Sequence, residues 1–301
     1  MENYRYDCIF EYLNIRLLTL KTNDMKKILA IALALLISVP MFSQGKLREN
    51  FKESVFGIEI SMIYVEGGEF MMGGTSEQGK EADKDEVIHR VTVGDFFIGQ
   101  FEITQSQWEA VMETSVVQQS RKADAKLTLD KLNGVGPDYP MYYVTWEEAM
   151  EFCRILSKKT GKKYTLPTEA EWEFAARGGV KTDARSRTKY AGSNLVERVA
   201  WYDRGSTHPV GQLEPNELDI YDMSGNVWEW CYDWYGAYNR NETFNPEGPA
   251  IGEERVIRGG SWHNPASRCR VSYRGHNSPE RRAGYRGFRI VCHDVEAPAQ
   301  D

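Results

Sequence analysis

The chain predicts an α+β fold with much irregular structure. Three observations carry this: short strand-like runs punctuated by Gly and Pro, three helix starts with capping boxes, and tryptophans confined to one region. The runs Ile63–Val65, Val91–Val93, Phe96–Ile98, Val256–Arg258 and Gly287–Val291 are apolar stretches too short for helices. Thr104 and Gln107 stand three residues apart, so a hydroxyl and an amide can cap each other's backbone ahead of a helix over Ser106–Met112. Thr145 and Glu148 repeat the device before Ala149, Phe152, Cys153 and Leu156, whose spacing makes one apolar helical face. Thr168 and Glu171, just after Pro167, open a third helix running to about Arg177. Ser115–Tyr139 is polar, with basic Arg121, Lys122 and Lys126, and reads as a surface loop with a short helix. All eight Trp fall between Trp108 and Trp262, which implies one compact core.

A chain of 301 residues with 41% hydrophobic and 12% aromatic content supports such a core. A net charge of -7 and an isoelectric point near 5.5 leave no basic stripe for phosphates, so a nucleic-acid partner is excluded from the expectations. Lys26-Lys27, the apolar run 28–39 and Met41-Phe-Ser-Gln44 have the parts of a secretory signal peptide. The run is shorter than the roughly 20 apolar residues a spanning helix needs. The expected organisation is an upstream extension over 1–24, a signal peptide over 25–44 cleaved near Ser43, a linker over 45–60, a domain over 61–295 and a tail over 296–301. The protein is then exported, to the periplasm or beyond, and meets the membrane only through the signal peptide. No cysteine follows the cleavage point, so no lipid anchor is expected. Four cysteines remain, Cys153, Cys231, Cys269 and Cys292, and in an exported chain they read as two disulfides with three possible pairings.

Five blocks follow one another in a telling order: Gly67-Gly-Glu-Phe-Met-Met-Gly73, Phe97-Ile-Gly-Gln-Phe-Glu-Ile-Thr104, Val144-Thr-Trp-Glu-Glu-Ala-Met150, Leu166-Pro-Thr-Glu-Ala-Glu-Trp-Glu-Phe174 and Asp222-Met-Ser-Gly-Asn-Val-Trp-Glu-Trp230. They are closed by Val256-Ile-Arg-Gly-Gly-Ser-Trp262, Cys269-Arg-Val-Ser-Tyr-Arg274, Asn277-Ser-Pro279 and Gly287-Phe-Arg289. Over about Met62 to Cys292 the chain resembles the formylglycine-generating enzyme, or sulfatase-modifying factor, family. The resemblance implies that family's fold, which is related to C-type lectin-like folds. It also implies a calcium turn in which Asp222 and Glu229 offer side-chain oxygens and Gly225 and Val227 offer carbonyls, a hard-oxygen set that suits calcium. The alternative is that both carboxylates only cap the turn and pair with Arg. Family relatives favour a Cys153–Cys292 disulfide, Cys292 lying two residues past the family position at Ile290, and this leaves Cys231 with Cys269.

The enzymes of the family bind copper(I) through two cysteines five residues apart, shortly after Gly-Gly-Ser. Counting backward from Asn277-Ser-Pro279 puts Ala266 at the second of these, and no residue supplies the first, so copper is not expected. Ser261 matches an active-site serine, and Cys269 is the remaining candidate nucleophile; the plainer readings are a turn hydrogen bond and a disulfide half. His263 and His276 flank Cys269 and would make a soft metal site if they met. Of the C-terminal arginines, some are expected to brace Glu169, Glu171 and Glu173; Arg281 and Arg282 are the candidates for a patch facing an acidic peptide or glycan, with an internal structural role the preferred reading. The expectation is a non-oxidase binding or envelope-assembly module, with a protein, peptide or glycan ligand in the groove near the C-terminal loop. The alternative is an oxygen-dependent oxidase that converts a sulfatase cysteine to formylglycine through a rearranged site at Cys269.

Overall fold

Alternation along one strand organises the molecule. In β2 (Ile58–Val65) Ile60 and Met62 face one hydrophobic cluster, while Ile63 and Val65 face another. The computed structural model describes residues 49–183 and 185–293, with only the backbone of Glu81. The upstream extension and the signal peptide lie outside the described residues. β1 (Phe51–Val55) pairs with β2, and the five-stranded antiparallel sheet runs β1-β2-β5-β13-β6, with β5 Phe96–Gly99, β6 Tyr164–Thr165 and β13 Val291–Cys292. Phe96, Ile98 and Val291 point to one face and Phe97 and Cys292 to the other, so both faces are buried. Residues 51–60, expected as linker, are therefore strand: Glu53 accepts from Tyr164 and Lys162, which ties this hairpin to the core.

The three expected capping boxes form. They open α1 (Gln105–Met112), α3 (Trp146–Thr160) and α4 (Glu169–Ala176), while Ser115 and Gln118 cap α2 (Val116–Ala123) inside the predicted loop. α1 and α3 cover one face of the sheet, where Trp108, Phe152 and Phe288 pack ring against ring. α4 is buried on every side, on the opposite face. A one-turn helix, α5 (Val196–Val199), leads into β7 (Ala200–Trp201), which pairs in parallel with β8 (Ser224–Gly225). β3 (Gly68–Met72) and β4 (His89–Val93) form a separate hairpin.

A second sheet, in the order β11-β10-β9-β12, carries the C-terminal loops, with β9 Trp228–Trp234, β10 Arg255–Arg258, β11 Gly275–Asn277 and β12 Arg286–Gly287. The run 287–291 expected as one strand is split between β12 and β13. Phe288, Arg289 and Ile290 instead cross from one sheet to the other, and Arg289 turns into a buried ion pair.

Ion pairs hold α4 in place. Arg177 meets Glu173 at 2.8 Å and Arg258 meets Glu173 at 2.5 Å; Arg274 grips Glu169 with two bonds of 2.8 Å. Glu171 departs from expectation: its partner is His293, at 2.6 Å, and its other oxygen caps the helix at Thr168. Bidentate Arg pairs of this kind satisfy charges that burial would otherwise penalise severely.

Candidate functional site

The loop after β10 is folded tightly by two glycines. Gly260 takes a φ of 75°, and a Cβ there would lie 2.8 Å from both Cys269 Sγ and Arg268 O, so only glycine admits the close approach. Cys269 thus sits directly beneath the Gly259-Gly260-Ser261 turn, fully buried, and burial pushes its thiol up to about 12. Ser261 Oγ donates to Asn264 Oδ1 at 2.7 Å and accepts from the His263 N–H at 3.4 Å, the turn-bracing role expected of it. Trp228 Nε1 donates to the same Asn264 oxygen at 2.7 Å. Sequence reading missed Asn264; its only signal was an Asn three residues after Ser261, a common turn spacing.

Around this knot the outer surface is aromatic and basic. His263 stacks on Tyr285 with centroids 5.6 Å apart, Trp228 contacts Tyr273, and the Arg268 guanidinium lies 5.8 Å from the Tyr273 ring.

Several expectations fail here. His263 and His276 do not converge on Cys269: His276 pairs with Glu254 at 2.5 Å and stacks on Tyr235. Arg282 is not a free ligand-facing residue, since Glu148 accepts both of its terminal nitrogens, one at 2.8 Å, and Tyr143 O takes a further bond. Arg281 is exposed, and its carbonyl holds Arg286. Neither expected disulfide is present. Cys231 lies in the core cluster around α4, whereas Cys269 packs with Tyr190 and Val199, and Cys153 and Cys292 share the cluster beneath α3 without a bond between them. Burial pushes the Cys153 and Cys231 thiols far above their usual range.

The turn over 222–229 carries an excess of buried negative charge. Asp222 adopts a left-handed φ of 58° and accepts from the Gly211 N–H at 2.7 Å. Glu229 accepts two bonds from Arg289, at 2.6 and 2.7 Å, and one from Trp172 Nε1 at 2.7 Å. Glu102, not singled out from sequence, bonds the Val227 N–H and the Asn226 side chain. Burial, then the charges of Asp222 and Glu229, push Glu102 well above the carboxylate range; burial likewise raises Asp222 to about 6. One guanidinium serves three carboxylates, an imbalance that a divalent cation would relieve. Among the described residues no three His, Cys, Asp or Glu side chains group as a ligand set, so a cation here would draw on the Gly225 and Val227 carbonyls as well as the two carboxylates.

A two-sheet α+β scaffold, braced by Arg–carboxylate pairs and closed by a Gly-Gly-Ser loop, is the class of protein these features define. The sulfatase-modifying factor enzyme 1-like domain matches residues 49–294, and the chain belongs to that family. Chaperone protein LppX of Paenibacillus barcinonensis is 31% identical, the match covering 76% of this chain and 88% of the relative. The formylglycine-generating enzyme of Streptomyces coelicolor is 30% identical with the same coverages. Serine/threonine-protein kinase pkn1 of Chlamydia pneumoniae is 32% identical over 86% of this chain, but the match spans only 42% of the kinase. Among solved structures, Treponema denticola variable protein 1 superposes with a TM-score of 0.68 at 29% identity, and PvdO from Pseudomonas aeruginosa with 0.65 at 25%. Each alignment covers 81% of this chain and 98% of the other.

Proposed function

We propose that this protein is a non-oxidase member of the family, exported from the cytoplasm, that acts as a binding or envelope-assembly module. The observation that carries the reading is Cys269: it is the sole thiol of the loop between Ser261 and Asn277, and it is sealed beneath Gly260 with its proton held to about 12. Soft-metal chemistry needs an accessible thiolate, and a thiol of that kind offers very little at neutral pH. The aromatic and basic surface of His263, Tyr285, Tyr273 and Arg268 supports a protein, peptide or glycan ligand in the groove beside this loop. A relative named as a chaperone protein agrees with an assembly role. The membership of the first and last strands in one sheet supports the C-type lectin-like reading of the fold.

Calcium belongs to the same proposal, held by Asp222 and Glu229 through side chains and by Gly225 and Val227 through carbonyls. It would neutralise the carboxylate excess beside Arg289 and rigidify the turn that feeds β9.

Relatives named as formylglycine-generating enzymes favour the second reading, an oxygen-dependent oxidase acting on a sulfatase cysteine. The deciding experiment incubates the purified protein with copper(I), oxygen and a cysteine-containing sulfatase peptide, and weighs the peptide by mass spectrometry. An unchanged peptide is expected; loss of the thiol to an aldehyde would overturn the binding-module reading.

A further inference from the structure

Between β9 and β10 the chain makes an excursion over 235–254 that arches across the end of β9 and roofs a cavity. Asp233 lies on the floor of that cavity and is 4% exposed. Its Oδ2 accepts from the Glu169 N–H at 2.8 Å, at the start of α4. Apart from this bond the carboxylate has only its own backbone N–H for support, and no Lys or Arg among the described residues pairs with it. Neighbouring Glu169 offers no relief, because its charge is already answered by Arg274 and Arg258.

An unpaired carboxylate buried to this extent is costly unless something cationic meets it or it takes up a proton. Burial, and then the charge of Glu169, push Asp233 far above the carboxylate range, the sign of a site short of one positive charge. The space next to it is kept open by glycine. Gly248 sits over the carboxylate at a φ of 73°, and a Cβ there would come 3.3 Å from Oδ1 and 3.1 Å from the Asp233 Cβ. Trp234, Tyr238, Pro246 and Pro249 form the apolar and aromatic part of the wall, and Glu242 and the Glu169-paired Arg274 its charged part. The cavity itself is small, about 20 Å³, room for an ammonium head; Trp234, Gly248 and Pro249 also line a neighbouring open cleft of about 720 Å³ that reaches Tyr232 and Arg255 and can take the stem. The far end is already positively charged, with Arg255 clamped between Trp146 and Trp234 at 3.7 and 3.5 Å.

We propose that this cavity is a binding site for a primary ammonium carried on an alkyl stem, with the ammonium on Asp233 Oδ1 and the stem along Trp234 and Pro249. A lysine side chain and a free alkylamine share this chemistry. The carboxylate supplies the charge-assisted hydrogen bond, and the aromatic walls take the methylenes and the cation's field. The site is separate from the surface beside Ser261, and it stands whether or not the chain is an oxidase.

The test titrates the purified protein with n-butylammonium and with a blocked Gly-Lys-Gly tripeptide, followed by Trp fluorescence and calorimetry. n-Butanol and the norleucine tripeptide are the neutral controls. The ammonium probes are expected to bind saturably and at least tenfold more tightly than their neutral isosteres, and Asp233→Asn should erase that difference. Because Asp233 also caps α4, Gly248→Ala provides a second variant that narrows the cavity with the charge intact; it should weaken both ammonium probes at least tenfold. A tripeptide tenfold tighter than n-butylammonium assigns the site to lysine in a peptide, and equal affinities assign it to small amines. Equal binding of charged and neutral probes, no binding of either ammonium probe, or ammonium binding unchanged in both variants overturns the proposal.

Discussion

Glu86 shows how much one buried side chain can decide. Burial opposes its charge, yet two bonds from Arg270, at 2.6 and 2.8 Å, and the Ser272 hydroxyl outweigh that and hold it below the usual carboxylate range. Glu86→Gln leaves the Arg270 charge buried and uncompensated, and is expected to cost about 3–5 kcal/mol. Thermal unfolding should show this as a fall of about 10 °C in Tm. Cys269 gives a second expectation at this scale. With its thiol raised to about 12 and no exposed surface, it should resist alkylation by iodoacetamide at pH 8 in the native protein and react promptly once unfolded. Rapid native labelling, read by peptide mass spectrometry, would show that the loop opens. Neither residue's state was legible in the sequence: Glu86 is one acid among many in a polar stretch, and its partner lies 184 positions away.

Among the elements, the helices were the most legible because capping is local. A hydroxyl and a carboxylate or amide three residues apart act within one turn, and Thr104, Thr145 and Thr168 all cap as their spacing implies. Thr168→Ala should therefore destabilise by about 1 kcal/mol, a drop of about 2–4 °C measured by circular dichroism. Strands were less legible. Residues 51–60 alternate weakly and were assigned to a linker, but pairing with β2 and the bond from Tyr164 to Glu53 make them an edge hairpin. The 287–291 run broke because Arg289 is drawn to Glu229, sixty positions away, an interaction that no window of ten residues contains.

For the molecule as a whole, the Arg–carboxylate pairs predict the response to acid. Glu77, Glu86, Glu148 and Glu169 are each buried in part or in full, and their Arg partners, preceded at Glu77 by the Thr75 hydroxyl, nevertheless hold all four below the ordinary value of 4.5. For a depressed acid the stabilisation is complete above the unfolded pKa and is lost as pH falls through the folded one. Tm should thus decline steeply below about pH 4.5, while the raised carboxyls of Glu102, Asp222 and Asp233 act in the opposite sense at higher pH and place the maximum of Tm on the acid side of neutrality, as scanning calorimetry from pH 7 to 3 would show. Calcium provides the companion measurement. If it binds the 222–229 turn, millimolar calcium should raise Tm relative to EDTA, by about 2.7 kcal/mol of stability at a hundredfold excess over Kd. An unchanged Tm would remove calcium from the proposed function.

The ordered blocks from Gly67 to Arg289 were enough to place the chain in its family, because turns, caps and alternating apolar positions act over a few residues and leave their mark locally. Tertiary structure decided the rest. It buried Cys269 beneath Gly260, left the four thiols unbridged, set three carboxylates around Arg289, and left Asp233 without a cation at the floor of a cavity. Each outcome is a matter of which distant charge or atom comes to lie alongside. Electrostatic energy and desolvation depend on three-dimensional neighbours, and linear spacing does not record them.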